Sequence, residues 1–121
     1  MLSNDFFYTK SFADDGSTIG ATIELNAAHA IFEGHFPNQP VVPGVCMVQI
    51  IKELLEKSVG KSLQLQKADH IKFLSFIVPT KTPSVEALIK YSIADEVLSA
   101  TASLAKQETV CLKMRGSFVF A

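Results

Sequence analysis

The run His35-Phe36-Pro37-Asn38-Gln39-Pro40-Val41-Val42-Pro43-Gly44-Val45 sets one imidazole in a loop directly before an apolar helix. Pro37, Pro40 and Pro43 fix φ at about −65° and push their predecessors toward extended backbone, so the loop is stiff. A stiff loop can hold a catalytic base, and an imidazole with an ordinary pKa of about 6.5 titrates where such a base is useful. Pro43-Gly44 then opens a helix expected over Val45 to Lys57. The first-turn N–H groups of that helix lack intrahelical partners and can face an anion or a polarised carbonyl. Together these pieces make a base beside an oxyanion site.

Other chemistry-bearing residues have weaker contexts. His29 and His70 stand alone and read as surface or packing residues; Asp69 and His70, adjacent on an expected strand, should point to opposite faces. Cys46 sits near a helix N-terminus, where a thiol pKa can fall, yet its apolar neighbours favour a buried thiol, and Cys111 reads the same way. No CxxC pair, no metal-ligand spacing and no glycine-rich loop after a strand occurs, so neither a disulfide nor a metal or other cofactor is expected.

The elements that must carry the loop are mostly strands. Phe6 to Phe12 reads as a strand, and Thr18 to Leu25 alternates apolar and polar residues (Ile19, Ala21, Ile23, Leu25), with Gly16 in the turn between them. Ala30 to Phe32 is a short apolar lead into Glu33-Gly34-His35. In the helix, Val45, Cys46, Met47, Val48, Ile50 and Ile51 cover nearly the whole circumference, whereas Lys52, Glu53, Glu56 and Lys57 leave a polar stripe. Gly60 suits a helix stop. Asp69 to Phe76, Val85 to Ile93, Val97 to Leu104 and Val110 to Phe120 follow as strands. Their links at Ala94-Asp95-Glu96 and Lys106-Gln107-Glu108 are too short for parallel crossovers, so the sheet is antiparallel. The fold class predicted is α+β, one antiparallel sheet wrapped around one long helix.

With 121 residues the chain is expected to form a single domain over 1–121. A hydrophobic content of 48% against 19% charged residues excludes disorder and leaves apolar surface for an oligomer to bury. A net charge of −1, with scattered Lys and Arg, argues against a nucleic-acid partner. The start Met1-Leu2-Ser3-Asn4-Asp5 lacks the basic and apolar parts of a signal peptide, and no run reaches the roughly 18 apolar residues of a membrane span. A cytoplasmic protein is expected, without a membrane partner.

The motif Gly34-His35-Phe36-Pro37-x-x-Pro40-x-x-Pro43-Gly44-Val45, with Ile71-Lys72-Phe73 and Val78-Pro79 further on, resembles the hot-dog-fold β-hydroxyacyl-acyl-carrier-protein dehydratases of fatty acid synthesis, the FabZ and FabA type. The resemblance is strongest from Phe32 to about Leu55. It implies a homodimer without cofactor, acting on a β-hydroxyacyl thioester carried by acyl carrier protein. In that family the histidine of the HFP motif works with a Glu or Asp on the central helix of the other subunit. His35 matches the histidine, and counting through the shared Pro-Gly-Val segment brings the acidic position to Gln49. Asn38 stands where the family usually has glycine.

The resemblance thus implies His35 and Gln49 as the catalytic pair and Gly44, with Val45 beside it, as the backbone that binds the thioester carbonyl. Dehydration needs a base for the α-proton, a partner for the enolate oxygen and a proton for the departing hydroxyl. Gln49 can hydrogen-bond but cannot titrate. It either orients a water or the substrate hydroxyl, or simply begins the solvated stripe with Lys52, Glu53 and Glu56. Glu53 lies one helical turn, about 5.4 Å, from it and is no easy replacement; Glu33 reads as a solvated loop residue. Val41, Val42, Met47, Phe73 and Phe76 are candidates for lining an acyl tunnel. Two alternatives remain: a hot-dog thioesterase in which Gln49 orients the attacking water, and an acyl-binding or partner subunit that has lost its acid.

Overall fold

The computed structural model describes residues 2–32 and 41–121. Strands β1 (Phe7–Asp14) and β2 (Thr18–Leu25) form a hairpin, followed by a 3₁₀ turn at Ala30–Phe32 and helix α1 (Gly44–Val59). β3 (Leu63–Phe73), β4 (Ser84–Ala94), β5 (Val97–Lys106) and β6 (Thr109–Phe120) follow. All pairings between the strands are antiparallel, in the order β1-β2-β4-β5-β6-β3. This is the α+β hot-dog architecture the sequence predicts.

Alternation explains why the sheet has one wet and one dry face. In β4, Val85, Ala87 and Ile89 are buried while Ser84, Glu86, Leu88 and Lys90 are exposed, as period-two side chains require. The inner residues Ile19, Ile23, Ile89, Leu98, Leu104, Leu112 and Phe118 join one core with Ile50, Ile51, Leu54 and Leu55 of α1. Each such side chain contributes about 1.5–3 kcal/mol when fully buried. The β4–β5 turn holds Asp95 and Glu96 at φ 53 and 63, the left-handed pair that a type I′ hairpin needs.

The boundaries of β2, α1, β4, β5 and β6 fall close to those expected, and β1 runs from Phe7 to Asp14 rather than from Phe6 to Phe12. The third strand differs more: it begins at Leu63 and ends at Phe73, not Asp69 to Phe76. It is an edge strand, exposed over most of its length, and its register with β6 slips between Leu65 and Lys67 and again between Ala68 and His70. Neither face is consistently buried, so its sequence has no reason to alternate. The second slip also undoes the strict alternation expected of Asp69 and His70, which line two neighbouring shallow hollows that share Lys90, Thr101 and Arg115. Gly116 lies opposite these irregularities, where a Cβ would sit 2.6 Å from the Lys67 carbonyl oxygen. Only glycine admits β3 at that distance.

Candidate active site at the helix start

Pro43 ends the extended lead-in at φ −60°, ψ 144° and caps α1 without any side-chain hydrogen bond. Val42 N–H donates to the Ile77 carbonyl at 2.9 Å, tying the lead-in to the segment after β3. Cys46 and Met47 N–H both donate to the Pro43 carbonyl, at 3.0 and 3.2 Å. Among the described residues nothing accepts from the N–H groups of Gly44 or Val45. These are the helix-start donors expected to face a carbonyl.

A groove of about 640 Å³ opens beside them, lined by Val41, Val42, Pro43, Gly44, Met47 and Phe73 to Phe76. All five proposed tunnel residues border it. Val41 and Met47 are buried, but Phe73 and Phe76 are 54% and 71% exposed, and Val45 and Leu74 are exposed as well. The Phe73 ring rests on Gly44, with its Cζ 2.8 Å from where a Cβ would stand. A side chain at position 44 would therefore displace the ring.

Gln49 does not open into this groove. It borders a second hollow of about 710 Å³ together with Ser3, Lys52, Glu53 and Lys57. Within one chain, then, the structure separates Gly44 and Gln49 into different hollows. The catalytic histidine expected at His35 lies outside the described residues, as do Glu33 and Asn38.

The polar stripe expected on α1 is not simply solvated. Glu53 is 4% exposed, the one buried charged side chain among the described residues. Its carboxylate accepts from the Leu2 N–H, the Ser3 N–H and the Gln49 Nε2 amide, each at 2.8 Å. The turn of helix that seemed to separate Gln49 from Glu53 instead brings them together, because residues four apart share a helix face. The i, i+4 spacing was the signal that could have found this contact, whereas the burial comes from backbone donors some fifty residues away.

The remaining candidates have structural roles. His29 accepts from the Ile31 N–H at Nδ1 (3.0 Å), so its Nε2 carries the proton toward Asp5, 3.1 Å away, and its ring meets Phe6 edge-on. That arrangement fixes the 3₁₀ turn ahead of the loop. His70 is exposed. Cys46 and Cys111 are buried free thiols, and burial pushes the Cys46 thiol upward, the wrong direction for a nucleophile. A cluster that spacing did not reveal joins Asp14, Ser58 and Tyr91 at the far end of α1: Tyr91 Oη donates to Asp14 Oδ1 at 2.9 Å, Ser58 donates to Oδ2, and the two hydroxyls lie 3.0 Å apart.

Comparison with known proteins supplies a family frame. Residues 11–112 match the model of the ApeI-like family, described as ApeI dehydratase. The chain is similar to the 3-hydroxyacyl-[acyl-carrier-protein] dehydratase FabZ of Rickettsia akari, 39% identical over 66 residues, covering 48% of this chain and 46% of that protein. Its similarity to the FabZ of Ruminiclostridium cellulolyticum is 28% over 86 residues, covering 65% and 61%. The matched region is thus only about half the length of such relatives. Among solved structures, the dehydratase heterocomplex ApeI:P from Xenorhabdus doucetiae aligns with a TM-score of 0.74 at 15% identity, covering 93% of this chain and 96% of that one. A hypothetical thioesterase with coenzyme A from Streptococcus pneumoniae aligns at 0.65 and 9% identity, covering 98% and 91%. At these identities the two structures speak for the fold.

Proposed function

Because this chain belongs to the ApeI-like dehydratase family, we propose that it dehydrates β-hydroxyacyl thioesters carried on acyl carrier protein to trans-2-enoyl thioesters, in fatty acid or related lipid synthesis. The observation that carries this reading is the apolar groove meeting the N–H groups of Gly44 and Val45, which have no acceptor among the described residues. An acyl chain suits the groove, and a thioester carbonyl suits the donors.

In this mechanism the carbonyl oxygen accepts from the Gly44 N–H, with Val45 beside it, and so draws off charge as the α-carbon loses its proton to His35. The Cα–H electrons form the Cα=Cβ bond, the Cβ–O bond breaks, and the imidazolium returns its proton to the leaving oxygen as water. One histidine handles both transfers in turn. Gln49 contributes hydrogen bonding rather than a proton.

The separation of Gly44 from Gln49 within one chain supports a site completed by a second hot-dog chain. β3 is an edge strand whose outer side has no strand partner among the described residues, and exposed Phe73, Leu74, Phe76 and Val45 lie near it. A homodimer satisfies both features. A second reading, a subunit that needs an acid-bearing partner, is favoured by the amide at position 49, and the Xenorhabdus relative is itself a heterocomplex.

The test is interconversion of a β-hydroxyacyl and a trans-2-enoyl thioester by the purified protein, with His35→Ala and Gln49→Glu alongside and free thiol monitored. Turnover that vanishes in His35→Ala supports the dehydratase. Turnover gained only in Gln49→Glu indicates a partner subunit, and thiol release alone indicates a thioesterase.

A further inference from the structure

We propose that Glu53 is a positioning residue for Gln49, orienting its amide so that the carbonyl oxygen, not the NH₂, faces the substrate hydroxyl. The inference rests on the dehydratase reading for what Gln49 does, but the pairing itself stands on geometry. Glu53 is 4% exposed, and no Lys, Arg or His among the described residues forms a salt bridge with it. Three N–H donors converge on its two oxygens instead: Ser3 on Oε1, and Leu2 together with the Gln49 amide on Oε2, all at 2.8 Å.

A carboxylate only accepts hydrogen bonds, so the Gln49 amide has one sensible orientation. Turning it over would set a carbonyl oxygen against a buried carboxylate oxygen and leave that acceptor short of a donor. With its NH₂ committed to Glu53, Gln49 presents Oε1 on its other side. That oxygen can accept the β-hydroxyl hydrogen and leave the hydroxyl lone pairs free for the imidazolium proton. The same carboxylate holds Leu2 and Ser3, so the N-terminal segment becomes part of the support for the site.

The decisive variant is Glu53→Gln, which keeps one acceptor oxygen where the carboxylate had two, so it can still accept from Ser3 on one side or from Leu2 and Gln49 on the other but not from both, and it is neutral toward Gln49. Two readouts are taken on the full chain: the Gln49 side-chain amide signals in a ¹⁵N-labelled sample, identified by their loss in Gln49→Glu, and kcat and KM for thioester interconversion. The expected result is a shift and faster hydrogen exchange of the Gln49 amide, with kcat lowered about tenfold, as loss of a charge-assisted hydrogen bond implies, while KM stays within about twofold. Gln49→Glu alone brings two carboxylates together and should add an ionisation to the pH–rate profile. Combining it with Glu53→Gln removes the neighbouring carboxylate and should move that ionisation back down toward the ordinary carboxylate range. Unchanged amide signals in Glu53→Gln, or an identical pH profile for the single and combined variants, would overturn the proposal. If wild type fails to interconvert the thioesters, the dehydratase reading falls, and the amide response still decides whether Glu53 orients Gln49.

Discussion

The C-terminal end of α1 is closed: Gly60 adopts φ 70° and donates its N–H to the Glu56 carbonyl, Glu56 accepts from the Leu63 N–H, and Ser58 joins Asp14 and Tyr91. At the opposite end, Pro43 supplies no side-chain cap, the Gly44 and Val45 donors have no partner among the described residues, and exposed aromatic rings border the groove. The same helix is thus finished at one end by hydrogen bonds and left at the other with N–H donors that have no acceptor among the described residues. Unmet donors beside apolar surface are costly in a structure that only needs to be stable. In the proposed function, this end is the one given to binding.

Substitutions can break or sharpen this contrast. His35→Ala should lower kcat for dehydration by about 10²–10⁴, the usual share of general acid–base catalysis, and an unchanged rate would remove chemistry from the open end. In the middle of the helix, Leu54→Ala should cost about 2–5 kcal/mol in denaturant unfolding, because the side chain is buried in the core both ends share. At the open end, Gly44→Ala has to push aside only the exposed tip of Phe73, so unfolding should shift little. In the proposed mechanism the added methyl stands where the thioester approaches, and kcat/KM should fall by about tenfold. At the closed end the pattern should invert: Tyr91→Phe should cost about 0.5–1.5 kcal/mol of stability with kcat unchanged.

Acid offers a finer probe of the closed end. The Ser58 hydroxyl, then the Gly16 N–H and the Tyr91 hydroxyl, hold the Asp14 carboxyl below its ordinary value of 3.8. A folded-state value below the unfolded one stabilises the fold above the unfolded pKa, and that contribution is lost as pH falls below about 3.8 toward the folded value. Wild type should therefore lose stability over that range more steeply than Asp14→Asn, which unfolding midpoints at successive pH values would reveal.

What the sequence made legible follows from where local patterns and tertiary structure agree. β2 and β4 bury one face each, so their alternation reported them faithfully, and the proline run with its following glycine announced where α1 begins. β3 gave a poor signal because an irregular, two-sided edge strand imposes no period on its residues. Glu53 was misplaced for a different reason. Its spacing matches Lys52 and Glu56 on a polar stripe, while its burial is decided by the backbone of Leu2 and Ser3, which no helical periodicity can encode. Val41, Val42 and Met47 flank the helix start in sequence, whereas Phe73 and Phe76 lie far along the chain and were nameable only through the acyl tunnel that the resemblance implies. The separation of Gly44 from Gln49 needed the sheet and helix in place.

The strand order also sets an order of events during folding. β3, third in the sequence, ends up beside β6, the last strand, so Leu63 finds its partner in Phe120 and Phe73 in Leu112. Hairpins β1–β2, β4–β5 and β5–β6 join neighbours in sequence and can form early, whereas the β2–β4 and β3–β6 pairings must bring distant segments together at a greater entropic cost. Until the β3–β6 pairing forms, the strand leading to Phe73, Leu74 and Phe76 has no neighbour, and the sticky rim of the groove is open to any other unfinished chain. The interval before β3 docks is therefore one in which aggregation is expected to compete with assembly.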